Sequence, residues 1–150
     1  MTIDNEVVIA KLKMAHEAII LALDDIHKHF PSQRQLTVAA YNQVKPYVRH
    51  LQESLLGCFQ LQKDTLFTHL SSFYSADREN MKMIEFLRED LKNVKIQSLI
   101  FFETHPADMG DLGGANFHSD FMNLSDLLAA RIKSEQTYLL PLLKSSFNKS

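Results

Sequence analysis

Four long stretches of this chain place apolar side chains at alternating spacings of three and four residues, which restricts the fold to packed helices. This spacing gathers the apolar residues into one stripe along an α-helix. The predicted helices cover about residues 5–30, 36–73, 77–103 and 117–147. Because each stripe needs a partner to bury it, we predict an all-α fold, an up-down-up-down antiparallel four-helix bundle.

The residues between and within these stretches support that division. Pro31 ends the first helix, Asp77 is a suitable N-cap for the third, and Pro141 is expected to kink the fourth near its end. Pro46 either starts the second helix or kinks a longer one. Residues 104–116 hold three of the four glycines and are longer than a usual helix connection, so this loop is predicted to be mobile or functional.

The composition indicates one globular domain, residues 1–150, with 45% hydrophobic and 23% charged residues. A net charge of −2 gives no reason to expect binding to nucleic acid or to a membrane surface. No apolar run is long enough to span a membrane, and the polar N-terminal residues do not resemble a leader. The single cysteine, Cys58, fits a reducing compartment, so we expect a cytoplasmic protein.

Five polar residues interrupt the apolar stripes near the middle of their helices: His16, Cys58, Gln62, Arg131 and Glu135. In an antiparallel bundle the middles of the helices lie at one level, so we predict that these side chains form a single layer. A buried polar group without a partner costs about 1–3 kcal/mol, and a lone buried charge costs more. The five side chains must therefore pair with one another, bind a ligand, or face a solvated cavity.

Two segments resemble the metal-binding helices of hemerythrin-like (HHE cation-binding) domains. Residues 58–68 (CFQLQKDTLFT) and 131–141 (RIKSEQTYLLP) follow the family pattern His-Phe/Ile-x-x-Glu-Glu-x-x-Leu-Phe-Pro. His16-Glu17-Ala18-Ile19 is similar to the family's His-Glu-x-Ile opening, and residues 88–94 (REDLKNV) resemble Glu-Glu-His-x-x-Ile more loosely. The resemblance covers nearly the whole chain and implies a helical bundle whose family members hold a pair of iron ions.

The resemblance places the family's metal ligands at six positions of this chain: His16, Cys58, Gln62, Leu91, Arg131 and Glu135. Only His16 and Glu135 keep a ligand of the family's kind, while Leu91 offers no donor atom. A carboxylate-bridged iron pair needs roughly five to seven oxygen and imidazole donors, which is more than this chain supplies.

Arg131 is the residue that decides our interpretation of this layer. Its permanent positive charge would repel a divalent metal placed beside it. We interpret the guanidinium as a replacement for the metal that donates to Glu135 and to Gln62 Oε1, with His16 and Cys58 completing a vestigial site. No cofactor is then expected. The alternative is an altered metal-binding, oxygen-handling or redox-sensing site in which His16, Cys58 and Glu135 hold iron or another metal.

Cys58 itself has two interpretations. It is either an inert buried thiol or a redox-active one, and the second requires that Arg131 lower the pKa of the thiol.

The remaining titratable residues give weaker signals. His27 and His29 flank a helix end and are expected to be solvated, whereas His69 is predicted to be hydrogen-bonded on the second stripe. The acidic pairs Asp24–Asp25 and Glu89–Asp90 are expected to lie on exposed helix faces. Since the sequence has no nucleophilic triad, phosphate-binding glycine loop or paired-cysteine motif, we predict no enzymatic activity.

A regulatory or protein-interaction role is the function that we predict. Apolar residues lie outside the stripes, and they form either a broad core or a surface for a protein partner or a second copy of the chain: Val7, Val8, Ile9, Ile20, Leu21, Ile96, Leu99, Ile100 and Phe102. Gly57-Cys58-Phe59 and Ala130-Arg131-Ile132-x-x-Glu135 also resemble segments of the regulator of sigma D (anti-sigma-70) family. This second resemblance implies an RNA polymerase sigma factor as the partner.

Overall fold

Every regular element of the structure is helical within the residues that it describes. The computed structural model describes residues 5–29, 38–105 and 116–148. The chain forms α1 (Asn5–His27), α2 (Val38–Leu61), α3 (Asp64–Phe73), α4 (Arg78–Thr104), α5 (Phe117–Ser134), a π-helical turn (Glu135–Leu139) and α6 (Leu140–Asn148). The prediction of an all-α bundle is therefore confirmed.

The helices form because their apolar stripes are buried, although two predicted stripe positions, Thr65 and Tyr138, are exposed. On α4 all six predicted stripe positions are buried: Ile84, Leu87, Leu91, Val94, Ser98 and Phe101. Asp77 is the N-cap of α4, and its side chain accepts a hydrogen bond from the Asn80 backbone N–H at 3.1 Å. This contact satisfies one of the backbone donors that a helix start leaves unpaired.

The prediction of one continuous second helix is wrong, because the structure breaks this segment into α2 and α3 at Gln62 and Lys63. The backbone N–H groups of Gln62 and Leu66 bond to carbonyls only three residues back, those of Phe59 and Lys63. Lys63 is extended, with φ −73° and ψ 165°. The break falls where the stripe becomes polar, and it lets the Gln62 side chain turn into the core.

Pro46 lies inside α2, so it does not start that helix. The last predicted helix runs through α5 and α6, and the distortion expected from Pro141 takes the form of the π turn. Proline has no N–H and its ring crowds the carbonyl four residues earlier. The wider π turn ends two residues before Pro141, with the Leu140 N–H bonded to the Glu135 carbonyl.

The helices surround one core. α1 contacts α2, α5 and α6, while α4 contacts α3, α5 and the π turn, and α3 also contacts α6. Three phenylalanines, Phe67, Phe117 and Phe121, are the largest fully buried side chains. None of the described helices combines the length and hydropathy that a membrane span needs. Most of the predicted loop at residues 104–116 lies outside the described residues; Thr104 ends α4 and Asn116 directly precedes α5.

Candidate functional site

The structure brings the five predicted polar residues together in one buried cluster, which we call the polar layer. His16 lies on α1, Cys58 on α2, and Gln62 at the break after α2. Arg131 lies on the last turn of α5 and Glu135 begins the π turn. Each of the five is at most 3% exposed.

The Glu135 carboxylate is the centre of the polar layer. Its Oε1 accepts a hydrogen bond from His16 Nε2 at 2.6 Å. Its Oε2 accepts from Arg131 Nε at 2.7 Å and from Gln62 Nε2 at 3.0 Å. Both carboxylate oxygens are thus satisfied by side chains from three different parts of the chain.

The Arg131 guanidinium makes the contacts that the sequence predicted, to Glu135 and to Gln62 Oε1, the latter at 2.9 Å from Nη2. Its Nη1 donates to the Leu87 carbonyl at 2.9 Å and to Asp90 Oδ2 at 3.0 Å. Four hydrogen bonds in total therefore hold the guanidinium.

The prediction that Asp90 lies on an exposed face is wrong, because it is a partner of Arg131 and its side chain is only 26% exposed. Its neighbour Glu89 is exposed, as expected. A signal was present in the chemistry of Arg131. A guanidinium has five N–H donors, and Glu135 with Gln62 cannot satisfy all of them. Asp90, one residue before the stripe position Leu91, carries a carboxylate that could serve as a further acceptor.

The hydrogen bonds decide the charge of Glu135. Burial alone would raise the pKa of this carboxyl group, since the interior disfavours a charge. The hydrogen bond from His16 and the positive charge of Arg131 outweigh that effect and hold the pKa of Glu135 below its ordinary value. Glu135 is therefore ionised at neutral pH. Because its Oε1 then needs a donor, Nε2 of His16 carries a proton.

Cys58 does not meet the condition that a redox role requires. Burial, followed by the negative charge of Glu135, raises the pKa of the Cys58 thiol to about 12. The hydrogen bond from Gln62 Nε2, 3.5 Å from Sγ, and the charge of Arg131 offset this only in part. The thiol is consequently neutral and 3% exposed, which makes it a poor nucleophile.

Leu91 adds no ligand atom to the polar layer, whereas the second ring nitrogen of His16 is present there without a partner. Leu91, at the position where the resemblance places a ligand, is buried and apolar. Nδ1 of His16 is buried and has no hydrogen-bond partner among the described residues.

The residues present do not fit an iron pair. Nitrogen, sulfur and oxygen atoms of His16, Cys58 and Glu135 lie within 4.8 Å of one another, so the distances suit a metal. However, the only carboxylate of the three is already bonded on both oxygens, and one of its partners is the permanent cation Arg131. The sulfur carries a proton, and Leu91 supplies nothing. Three donor residues, of which Glu135 and Cys58 are already engaged, fall short of a two-iron centre.

Of three histidines outside the polar layer, His27 and His69 bond to other helices and His29 bonds to the helix that it follows. His27 was predicted to be solvated, but it is half-buried, its Nε2 lies 2.9 Å from Ser125 Oγ, and its ring packs edge-on against Phe121. His29 is also half-buried, with Nδ1 2.9 Å from the Asp25 carbonyl. His69 is hydrogen-bonded to Ser146 Oγ at 3.1 Å, as predicted for a stripe histidine.

His105 forms a further pair that the sequence did not reveal. It is buried, and its Nε2 lies 2.7 Å from Asp120 Oδ2 across the connection between α4 and α5. The two residues lie at the ends of helices joined by a loop, so stripe periodicity gives no signal for the contact.

Comparison of the chain with family models, with curated proteins and with solved structures gave no match. The geometry of the polar layer is therefore the basis for interpreting its chemistry.

Replacing Arg131 by methionine should destabilise the fold strongly. Arg131→Met removes four hydrogen bonds and leaves the Glu135 charge buried with only His16 and Gln62 as partners. We expect the free energy of unfolding, measured by urea titration, to fall by about 3–5 kcal/mol. The double variant Arg131→Met/Glu135→Gln removes the charge along with its partner and should lose less than the sum of the two single losses. Losses that simply add would contradict direct coupling.

Acid should destabilise the protein partly through Glu135. As the pH falls, this carboxyl group takes up a proton in the unfolded chain first, near its ordinary pKa of about 4.3, because its folded pKa is lower. Its contribution to stability is complete above that value and disappears as the pH falls through the folded pKa. Urea titrations between about pH 5 and pH 3 should show a smaller acid-induced loss for Glu135→Gln than for the wild type. Equal losses would show that Glu135 is not the titrating group.

Proposed function

We propose that this protein is a non-enzymatic, hemerythrin-like bundle in which an arginine has replaced the metal centre and which acts as a regulatory or protein-interaction module. The carrying observation is that one guanidinium bonds to both Glu135 and Gln62, the two positions where the family pattern has glutamates. The proposed helix order is up-down-up-down and antiparallel. Contacts of α1 with α2, α3 with α4, α4 with α5, and α6 with α1 support that order.

The state of the polar layer supports a structural role over a catalytic one. A general base or nucleophile needs a free lone pair within reach of a substrate. Glu135 has both oxygens engaged and Cys58 is a neutral thiol. All five side chains are buried, so a substrate would have to enter the core to reach them. The layer instead gives the helices one specific arrangement.

The outer surface of α4 supports an interaction role. Ile96, Leu99 and Ile100 are 56%, 59% and 50% exposed. On α1, Ile20 and Leu21 are 42% and 57% exposed. The sequence left open whether these residues belong to a broad core or to a binding surface, and their exposure favours a surface. We name Ile96, Leu99 and Ile100 the outer face of α4 and propose it as the contact region for a protein partner or a second copy of the chain.

An RNA polymerase sigma factor is the first partner to test. The support is the similarity of Gly57-Cys58-Phe59 and Ala130-Arg131-Ile132-x-x-Glu135 to segments of the regulator of sigma D family. In that family an arginine also occupies the place of Arg131. A cytoplasmic location belongs to the same proposal.

An altered metal site is the second candidate function. The proximity of ligand atoms from His16, Cys58 and Glu135 is the observation that favours it. Binding there would require that a metal displace Arg131 from Glu135 and the proton from Cys58.

Metal content separates the two candidates. Protein purified without chelators should carry no stoichiometric iron, manganese or zinc by elemental analysis, because the Arg131 charge occupies the position beside Glu135. Arg131→His replaces this cation by a metal ligand and should retain more added zinc than the wild type. One equivalent of tightly held metal in the wild-type protein would refute the arginine-replacement interpretation and favour the second candidate.

The outer face of α4 can be tested with purified components. We expect the wild-type protein to co-elute with an RNA polymerase sigma subunit in size-exclusion chromatography, and Ile96→Glu/Ile100→Glu to lose the complex because it places charges in an apolar contact. Lys82→Glu, also exposed on α4, is the matched control and should retain it. Failure of the wild type to form the complex would exclude this partner. Loss of a wild-type dimer in the double variant would identify a second copy of the chain instead.

A further inference from the structure

A second site lies between α2 and α4. There the surface opens into a groove of about 470 Å³. Its walls are apolar: Leu55, Leu56 and Phe59 come from α2, and Leu99 and Phe102 come from α4. Volumes of about 300–1,000 Å³ with mainly apolar walls are typical of small-molecule sites. No residue of the polar layer lines this groove.

The groove exists because α2 and α4 pack mainly against other helices. α2 lies against α1, while α4 lies against α3 and α5. Apolar surface remains uncovered as a result, and Leu56 and Leu99 are 54% and 59% exposed. A ligand that covers these side chains would gain binding free energy, because apolar surface is removed from water.

Polar side chains complete the lining: Lys63, Lys95 and Ser98, with the amides of Gln52 and Gln60. Lys95 holds its ammonium 5.9 Å from the ring centroid of Phe59, and Lys63 follows Phe59 by four residues. Neither lysine forms an ion pair with a carboxylate of the described residues. Ser98 also lines the groove, three residues after Lys95 and hence on the same face of α4.

Ser98 is the independent sign that a ligand belongs here. It is 3% exposed, and its hydroxyl has no hydrogen-bond partner among the described residues. A buried hydroxyl without a partner is costly, and such groups in native structures call for a partner. The hydroxyl lines the same groove as the Lys63 and Lys95 side chains, so an acceptor oxygen bound there would give the hydroxyl a partner and the ammonium groups an anion.

We propose that this groove binds a small amphiphilic carboxylate, such as a medium-chain fatty acid. The carboxylate lies between Lys63, Lys95 and Ser98, which offer two positive charges and a hydroxyl donor. The hydrocarbon chain runs along the leucine and phenylalanine walls. A cationic amphiphile is disfavoured since the two lysines repel it. Binding at this site requires neither the polar layer nor the protein partner proposed above.

Isothermal titration calorimetry with decanoate, kept below its micelle concentration, tests this site on the full-length protein. We expect saturable binding of one decanoate per chain. Decyltrimethylammonium has the same hydrocarbon chain with the opposite charge, and acetate has the charge without the chain, so neither should bind. Equal binding of the cationic and anionic amphiphiles would overturn the proposal, as would no binding of decanoate. Binding of an acidic amphipathic peptide in place of decanoate would likewise overturn it and make the groove a helix-docking site.

Matched variants locate the binding. Lys63→Met/Lys95→Met keeps the apolar length of both side chains and should weaken decanoate binding about tenfold. Lys82→Met, on α4 outside the groove, should bind as the wild type does. Ser98→Ala should also weaken binding, and far-ultraviolet circular dichroism checks that each variant is folded. An unchanged affinity in the double lysine variant would refute this site. Ile96→Glu/Ile100→Glu should still bind decanoate, which separates the groove from the protein-binding proposal.

Discussion

A single buried carboxylate organises this bundle. Glu135 is 2% exposed and ionised, and a charge in that position is tolerable only when donors surround it. The donors come from α1 through His16, from the break after α2 through Gln62, and from α5 through Arg131. Through Arg131 the same network reaches α4, by way of the Leu87 carbonyl and Asp90. α1, the break after α2 and α5 thus supply donors to one buried charge, and α4 joins the network through Arg131.

Such a network defines an arrangement more than it adds stability. Apolar residues of similar volume in place of a buried ion pair often leave a protein equally stable or more so, because both charges must be desolvated. Directional hydrogen bonds, by contrast, are satisfied by one helix alignment only. An apolar core tolerates several packings of similar energy. The polar layer therefore accounts for the uniqueness of the helix alignment, while the stripes that hold the three large phenylalanines account for most of the burial.

The sequence predicted the helices and the membership of the polar layer well, because both follow from periodicity. A residue on an apolar stripe is expected to be buried, so His16 and Gln62 could be recognised as polar residues in buried positions. The break at Gln62 and Lys63 could not be predicted, since it depends on contacts with other helices. Pro141 predicted a distortion late in the last helix, but not its form as a π turn at Glu135. Local propensity gives no sign of where a helix must open to deliver a side chain.

The errors in the predicted site have the same origin. Asp90 lies at the edge of its stripe, and an edge carboxylate is normally solvated. Its role became apparent only from the position of the Arg131 guanidinium. The lowered pKa considered for Cys58 followed from the nearness of Arg131 along the layer. Burial and the equally close Glu135 act in the opposite direction and prevail. A prediction of charge pairs from sequence leaves out the free energy that a charged group loses when it leaves water. For Cys58 this desolvation is the largest effect on the pKa of the thiol.

The hydrogen bonds of Arg131 also have a mechanical consequence for the helices. One guanidinium holds Gln62, which directly follows α2, and the Leu87 carbonyl in the middle of α4. An α-helix advances 1.5 Å per residue, so sliding α4 by a single residue would lengthen or misalign that hydrogen bond. α2 and α4 are therefore clamped at one level although they pack mainly against other helices. The spacing of the groove between them therefore depends on hydrogen bonds made inside the core.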